Sequence, residues 1–139
     1  MANKTDMNGY APSDKEPFMN ERQLEYFKRR LIEWRQQLLE ETNEAIKQLK
    51  EVNGTEADIV DIATYEIERN IELRARERQR KLLNKIAEAL VRIENGTYGY
   101  CEETGDQISL RRLEARPIAT LSLEAQERHE RSERLYRNE

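Results

Sequence analysis

Apolar residues recur at alternating three- and four-residue steps from Leu24 onward, through Phe27, Leu31, Trp34 and Leu38. That spacing predicts a helix with one apolar seam facing a partner helix, as in a coiled coil. Asn20, just ahead of the run, is a preferred N-cap, and Gln23 three residues on would complete a capping box. The seam slips by one residue near Thr42 and resumes through Ala45, Leu49 and Val52, a stutter-like irregularity. Asn53-Gly54 breaks the run. A second run, from about Ile59 to Glu94, has Ile62, Ala63, Ile67, Ile71, Leu82, Ile86, Ala89 and Ile93 as apolar positions. The two runs are of similar length, each about 50 Å at 1.5 Å per residue. Joined by a short turn, they predict an antiparallel hairpin with its tip near residues 53–62.

Past Asn95-Gly96, a helix C-cap signal, the pattern changes. Residues 98–101 and 107–109 predict a small hairpin around Thr104-Gly105-Asp106. Residues 110–115 read as a short helical turn stopped before Pro117. A last helix is expected from Ser122. It carries Glu124–Arg128, Glu127–Arg131, Glu130–Arg134 and Glu133–Arg137 at i,i+4 spacing, each pair worth ~0.2–0.5 kcal/mol. The first 17 residues are polar with Gly9, Pro12 and Pro17, and read as a loosely docked arm. The expected fold is mainly α: a long antiparallel helical hairpin (coiled coil) plus a small zinc-finger-like globular module and a C-terminal helix. Its expected parts are an arm over 1–19, the hairpin over 20–95, the module over 96–121 and the last helix over 122–139.

Composition narrows the function classes. Of 139 residues, 37% are charged and 6% aromatic, and the mean hydropathy is −1.01. That leaves little for a large core and suits long solvated helices. A net charge of −4 argues against wholesale nucleic-acid binding, and no specific DNA contact is expected. No apolar run approaches the ~20 residues of a membrane span, and no signal-peptide core is present. A single cysteine argues against a disulfide scaffold. A cytoplasmic location and no membrane partner are the expectations.

Few residues carry candidate chemistry. Asp58 and Asp61 at the tip read as helix caps placed well for the helix dipole. They also read as two carboxylates presented at the end of a long arm, and both readings stand together. Arg74, Arg76, Arg78, Arg80 and Lys81 crowd the second helix and, at 100° per residue, do not share one narrow stripe. They read as a solvated face paired with Glu68, Glu72 and Glu77, or as a docking surface for an acidic partner or an anion, to which Lys85, Arg112 and Arg116 add. Cys101, beside Tyr98, Tyr100 and Leu113, reads as a buried apolar residue. His129 reads as a solvated surface residue. No nucleophile–base arrangement or phosphate loop is present, and no enzymatic activity is expected.

Four segments in order resemble a known family. They are Glu16-Pro-Phe-Met-Asn-Glu-Arg-Gln-Leu-Glu-Tyr-Phe27, the D-x-x-D-x-A string Asp58-Ile-Val-Asp61-Ile-Ala63, Glu72-Leu-Arg-Ala-Arg-Glu-Arg-Gln-Arg-Lys-Leu82, and Gly99-Tyr-Cys-Glu-Glu-Thr-Gly-Asp-Gln-Ile-Ser-Leu-Arg-Arg-Leu-Glu-Ala-Arg-Pro117. Together they resemble the DksA/TraR family of bacterial transcription regulators, over roughly residues 16–139. The resemblance places Cys101 as the first residue of a Cys-x-x-Cys pair whose partner position holds Thr104, with the second pair at Ser122 and Ala125. One thiol cannot close a four-ligand zinc site, so the resemblance implies the family's zinc-independent branch, and no zinc cofactor is expected. It also implies ppGpp as an effector, bound jointly with RNA polymerase at Arg78, Lys81, Lys85 and Arg116, with Arg112 as a further contact. Gln126 stands where that site has another cation. The implied function is non-enzymatic: binding RNA polymerase through its secondary channel, with Asp58, Asp61 and Ala63 near the catalytic centre, and modulating initiation in the stringent response. The alternatives are a Gre-like transcript-cleavage stimulator and a structural coiled-coil adaptor.

Overall fold

A computed structural model of the chain describes residues 9–52 and 59–137, with side chains described outside 49–61. It contains helices α1 (Glu21–Val52), α2 (Ile59–Asn95), α3 (Leu110–Ala115) and α4 (Leu123–Arg137) in that order. Among the described residues there is no strand. The expected small hairpin is reduced to one antiparallel bridge between Tyr100 and Gln107. Gly99 (φ +92°) and Gly105 (φ +74°) curl the chain on either side of Cys101, too tightly for a ladder to extend. Two backbone bonds close the knuckle, Ile108 N–H to Gly99 O at 2.7 Å and Cys101 N–H to Asp106 O at 2.8 Å.

The described chain forms two compact units. The first combines residues 1–31 with 88–139, and its core is built where the start of α1 meets the turns after α2. Phe27, Tyr98, Ile108 and Leu113 are buried to 1% exposure or less. The Phe27 ring lies 5.2 Å from Tyr26 and 5.6 Å from Tyr98. The buried Tyr98 hydroxyl donates to Pro117 O at 2.8 Å, which satisfies both polar groups. Arg30 Nη1 donates to Glu114 Oε2 at 2.6 Å and to Glu114 O at 2.7 Å, and Tyr26 donates to the same carboxylate at 3.0 Å.

The N-terminal cap differs from its expectation in one respect. Asn20 Oδ1 accepts from Gln23 N–H at 3.0 Å, but the Gln23 side chain does not close the box. Gln23 is fully buried and holds the preceding segment instead. Its Nε2 donates to Ser13 O (3.3 Å) and Glu16 Oε2 (3.2 Å), and its Oε1 accepts from Met19 N–H (2.8 Å). That last bond helps hold Met19 at φ 52°, a left-handed conformation costing about 1 kcal/mol outside glycine. Tyr10 donates to Glu16 at 2.6 Å and lies under the Arg22 guanidinium at 4.0 Å. Burial, then the Glu16 contact, push its phenol up to about 12. The described part of the arm, residues 9–19, is therefore pinned at several points.

In the second unit, residues 32–87, α1 and α2 lie side by side. Leu38 and Ile86 are buried, and the slip in the seam at Thr42 has a physical counterpart. The Thr42 hydroxyl sits 2.8 Å from Leu38 O and 2.9 Å from Gln79 Oε1, a polar bridge between helices where the apolar repeat fails. The α2 seam departs from expectation more widely. Ile62, Ile67 and Ile71 are 49%, 62% and 60% exposed, while Glu72, Ala75, Gln79 and Leu82 are half-buried. The inward face of α2 here is thus set by a mixed polar register rather than by its isoleucines. On α4, none of the four expected Glu–Arg pairs closes among the described residues. Gln126 Nε2 donates to Glu130 instead (3.3 Å), and the helix is fastened by buried Ala125 and by His129 meeting Glu103.

Two variants test the first unit. Tyr98→Phe leaves the Pro117 carbonyl buried without its donor and should lower unfolding free energy by about 1–3 kcal/mol. Gly99→Ala must hold φ +92° and bring a Cβ within 3.1 Å of Phe18 and Met19, so it should destabilise by at least about 1 kcal/mol. Urea titrations followed by circular dichroism measure both. Wild-type midpoints in both variants would contradict this packing.

Candidate functional site

The candidate residues fall into three groups, and the described structure brings only some together. The acidic string begins just before α2 and runs into its first turns. Asp58 lies outside the described residues. Asp61 is in the first turn of α2, and Ala63, in its second, is exposed. The backbone there is helical from Ile59 on, so positions 61 and 63 sit within 6 Å of axial rise of the start of α2 at 1.5 Å per residue.

The basic run on α2 is sorted by its ion pairs. Arg76 reaches Glu72 at 3.7 Å, and Arg80 reaches Glu77 at 2.6 Å. The Arg80 hydrogen bond holds the Glu77 carboxyl below its usual range. Arg74, Arg78, Lys81 and Lys85 close no ion pair among the described residues, and all four are exposed. Their steps of four, three and four residues put them within about 60° of one another on the helix. The five cations considered from sequence share no single stripe, as expected, but without the paired Arg76 and Arg80, and with Lys85, one row remains. Reading the 3-4 spacing among cations, rather than among apolar residues, would have found it.

Arg112 and Arg116 lie in the other unit. Arg112 Nε donates to Leu121 O at 2.8 Å, so part of its guanidinium is engaged in holding the loop before α4. Arg116 is exposed, and its N–H caps α3 through Arg112 O. Gln126 is half-buried against its own helix.

The third group surrounds Cys101, which is buried as expected. Burial pushes its thiol up, but hydrogen bonds from the Thr104 hydroxyl and from the N–H groups of Ser122, Thr104 and Glu103 outweigh it, bringing the thiol down to about 6. Four donors converging on one sulfur make a cradle suited to a thiolate. This is more than the inert apolar filler read from the neighbouring residues. Thr104 Oγ1 also accepts from Asp106 N–H (3.2 Å), and Ser122 Oγ from Ala125 N–H (3.3 Å). Ala125 is fully buried.

The family model for the DnaK suppressor protein DksA, N-terminal domain, matches residues 23–93. The model for the prokaryotic dksA/traR C4-type zinc finger matches residues 96–131. This chain belongs to the DksA family. The RNA polymerase-binding transcription factor DksA of Caulobacter vibrioides is 56% identical over 130 residues, covering 94% of this chain and 92% of its own length. The protein of the same description from Escherichia coli K12 is 42% identical over 115 residues, covering 83% and 76%. The structure of transcription factor DksA2 from Pseudomonas aeruginosa matches with a TM-score of 0.79 at 41% identity, covering 86% of this chain and 95% of that one.

The match corrects one expectation, that the module works without zinc. Residues 96–131 are recognised as a C4-type zinc finger, which points to zinc binding. That expectation rested on the single thiol, whereas the family model matches the module as a whole. Of the four positions that the resemblance assigns as ligands, Cys101 supplies a thiol, Thr104 and Ser122 supply hydroxyls, and Ala125 has no donor atom. These residues do not amount to four thiolates. A zinc ion, which takes four ligands, would draw on donors outside this set.

The cradle predicts a pH-dependent thiol. The rate of Cys101 alkylation by iodoacetamide should rise through a midpoint near pH 6, and Thr104→Val should move it up toward the ~8.5 of a free thiol. A wild-type midpoint already at the free-thiol value would contradict the hydrogen-bonded cradle.

Proposed function

We propose that this chain binds RNA polymerase and regulates transcription by occupying it rather than by chemistry of its own. The observation that carries the reading is the placement of the acidic string. Most of each of two helices, 32 and 37 residues long, lies in the second unit, and D-x-x-D-x-A lies in sequence where one gives way to the other. Relatives matching nearly the whole chain are named as RNA polymerase-binding transcription factors, which supports the same reading.

In this proposal the hairpin enters the secondary channel and brings Asp58, Asp61 and Ala63 toward the catalytic centre. The small exposed Ala63 keeps that end narrow. Negative charge there shifts the balance between open promoter complexes and competing states, and about 1.4 kcal/mol changes such a ratio tenfold. The effector ppGpp joins through Arg78, Lys81, Lys85 and Arg116, with Arg112 as a weaker contributor because its Nε is already engaged. Gln126 offers an amide rather than a cation, so phosphate binding rests on the remaining charges.

Asp61→Asn tests the reading. It removes one charge and keeps the shape. In transcription in vitro from a ribosomal promoter the regulatory effect should be lost. Polymerase affinity should stay within about threefold, under ~1 kcal/mol. Regulation by the variant equal to that of the unchanged protein would rule out a role for the tip carboxylate.

A further inference from the structure

Arg116 is exposed, yet the backbone that carries it is fixed on both sides. Its N–H donates to Arg112 O at 2.7 Å, and its carbonyl accepts from Ala119 N–H at 3.0 Å. Next along the chain, Pro117 O accepts from the buried Tyr98 hydroxyl at 2.8 Å. Before it, Glu114 is taken up by two side chains of α1 that stand one turn apart. Arg30 Nη1 donates to Glu114 O at 2.7 Å and to Glu114 Oε2 at 2.6 Å, and the Tyr26 hydroxyl donates to the same Oε2 at 3.0 Å. The Tyr26 ring is itself held, edge-on to Phe27 at 5.2 Å and to Tyr10 of the arm at 5.9 Å. All of these residues belong to the first unit.

Stability does not account for this clamp. The Arg30 and Glu114 side chains are each 36% exposed, and pairs so exposed contribute little to folding. Buried Leu110 and Leu113 already dock α3. What the clamp adds is direction and charge. Arg30 satisfies a carbonyl in the last turn of α3, one of those that a helix end leaves open. It also removes the carboxylate nearest in sequence to Arg116. Glu114 has Arg111, Arg112 and Arg116 as close neighbours in the chain, but its ion pair is with Arg30. Arg116 closes no ion pair among the described residues.

We propose that Tyr26 and Arg30 are positioning residues for effector binding: by holding Glu114 they fix the turn over residues 114–117 so that Arg116 is presented, uncompensated, to a phosphate-bearing ligand. The inference rests on the reading in which ppGpp contacts Arg116, and deepens it by naming the residues that set that contact. Two physical points favour a phosphate ligand. A guanidinium matches phosphate oxygens with two parallel N–H donors, so the direction in which it points decides the strength of the contact. Ordering a long side chain and its loop on binding costs affinity, and a backbone already held at both ends removes the loop's share of that cost. The chain of contacts from Tyr10 through Tyr26 to Glu114 also ties the N-terminal arm to this turn.

The test uses the full-length chain, purified RNA polymerase and ppGpp. It measures the ppGpp concentration at half of the response that requires this protein, in transcription in vitro from a ribosomal promoter, and separately the polymerase dissociation constant without ppGpp. Arg30→Leu should raise the half-maximal ppGpp concentration about threefold to tenfold, the loss expected when one ordered element must be fixed on binding. Its polymerase affinity without ppGpp should stay within about twofold. Arg30→Lys keeps a cation beside Glu114 and should recover most of the ppGpp response. Tyr26→Phe deletes one bond and should shift the response in the same direction by less. Arg116→Ala should abolish it. Backbone ¹⁵N relaxation of the free protein reads the turn without any ligand: order parameters over residues 114–118 should fall in Arg30→Leu and recover in Arg30→Lys. Circular dichroism establishes that each variant keeps its helices. If the unchanged protein gives no ppGpp response, or Arg116→Ala keeps it, the effector reading falls and this inference with it. If that response stands and Arg30→Leu matches the unchanged protein, the clamp alone is wrong. Parallel loss of polymerase affinity and ppGpp response in Arg30→Leu, the mark of a merely structural role, or an unchanged order parameter in the turn would also overturn it.

Discussion

The contact between Phe27 and Tyr98 closes a gap of more than fifty residues in sequence. The first unit is discontinuous, made from residues 1–31 and 88–139, and nothing in covalent connectivity keeps those parts together. The ring of Phe27, 5.6 Å from Tyr98, does so at the centre of the core. Around it lie the Arg30–Glu114 pair and the Phe18–Tyr100 edge contact at 5.5 Å. Two fully buried aromatic side chains bring the largest apolar area per residue that a chain so poor in aromatics has available. The same core fixes Pro117 through the Tyr98 hydroxyl, and with it the turn that leads into α4. The knuckle around Cys101, the loop held by Arg112 and the pinned arm all depend on that closure.

The second unit follows a different logic. Its inward face is not a continuous apolar seam but a mixture that includes Thr42 bridging to Gln79 and half-buried Glu72 and Arg76. Such a pair gains little from hydrophobic burial and more from pairing charges along each helix. The consequence appears on the outward face of α2. Apart from the compensated Arg76 and Arg80, Arg74, Arg78, Lys81 and Lys85 stand in one row with Ile67 and Ile71 at its end.

The module after α2 matches a C4-type zinc finger and holds a single thiol. Backbone N–H groups that aim at sulfur favour thiolate, and they do so whatever stands at the other ligand positions. Thr104 occupies one of those positions and turns its hydroxyl toward Cys101. Ile108, Leu110, Leu113, Ile118 and Ala119 are buried there, as part of the first unit's core.

The helical architecture was legible from sequence because its signals are local. The apolar 3-4 repeat, Asn20 as a cap, Gly96 after Asn95 and the short run before Pro117 each act within a turn or two of chain, and the helices observed start and end close to where these residues place them. The family was legible for the same reason, since its motifs are short strings in order. What the tertiary structure decided are choices among partners. Gln23 had two uses for its amide, its own cap or the arm, and burial against residues 13–19 selected the arm. Ile62, Ile67 and Ile71 of α2 carry an apolar spacing, but the facing register, set at Thr42 and Gln79, turned them outward. The cations of α2 looked scattered until ion pairing removed two of them from consideration. Spacing lists which side chains can share a face. Which of them are compensated, and which stay free, depends on neighbours that the fold supplies.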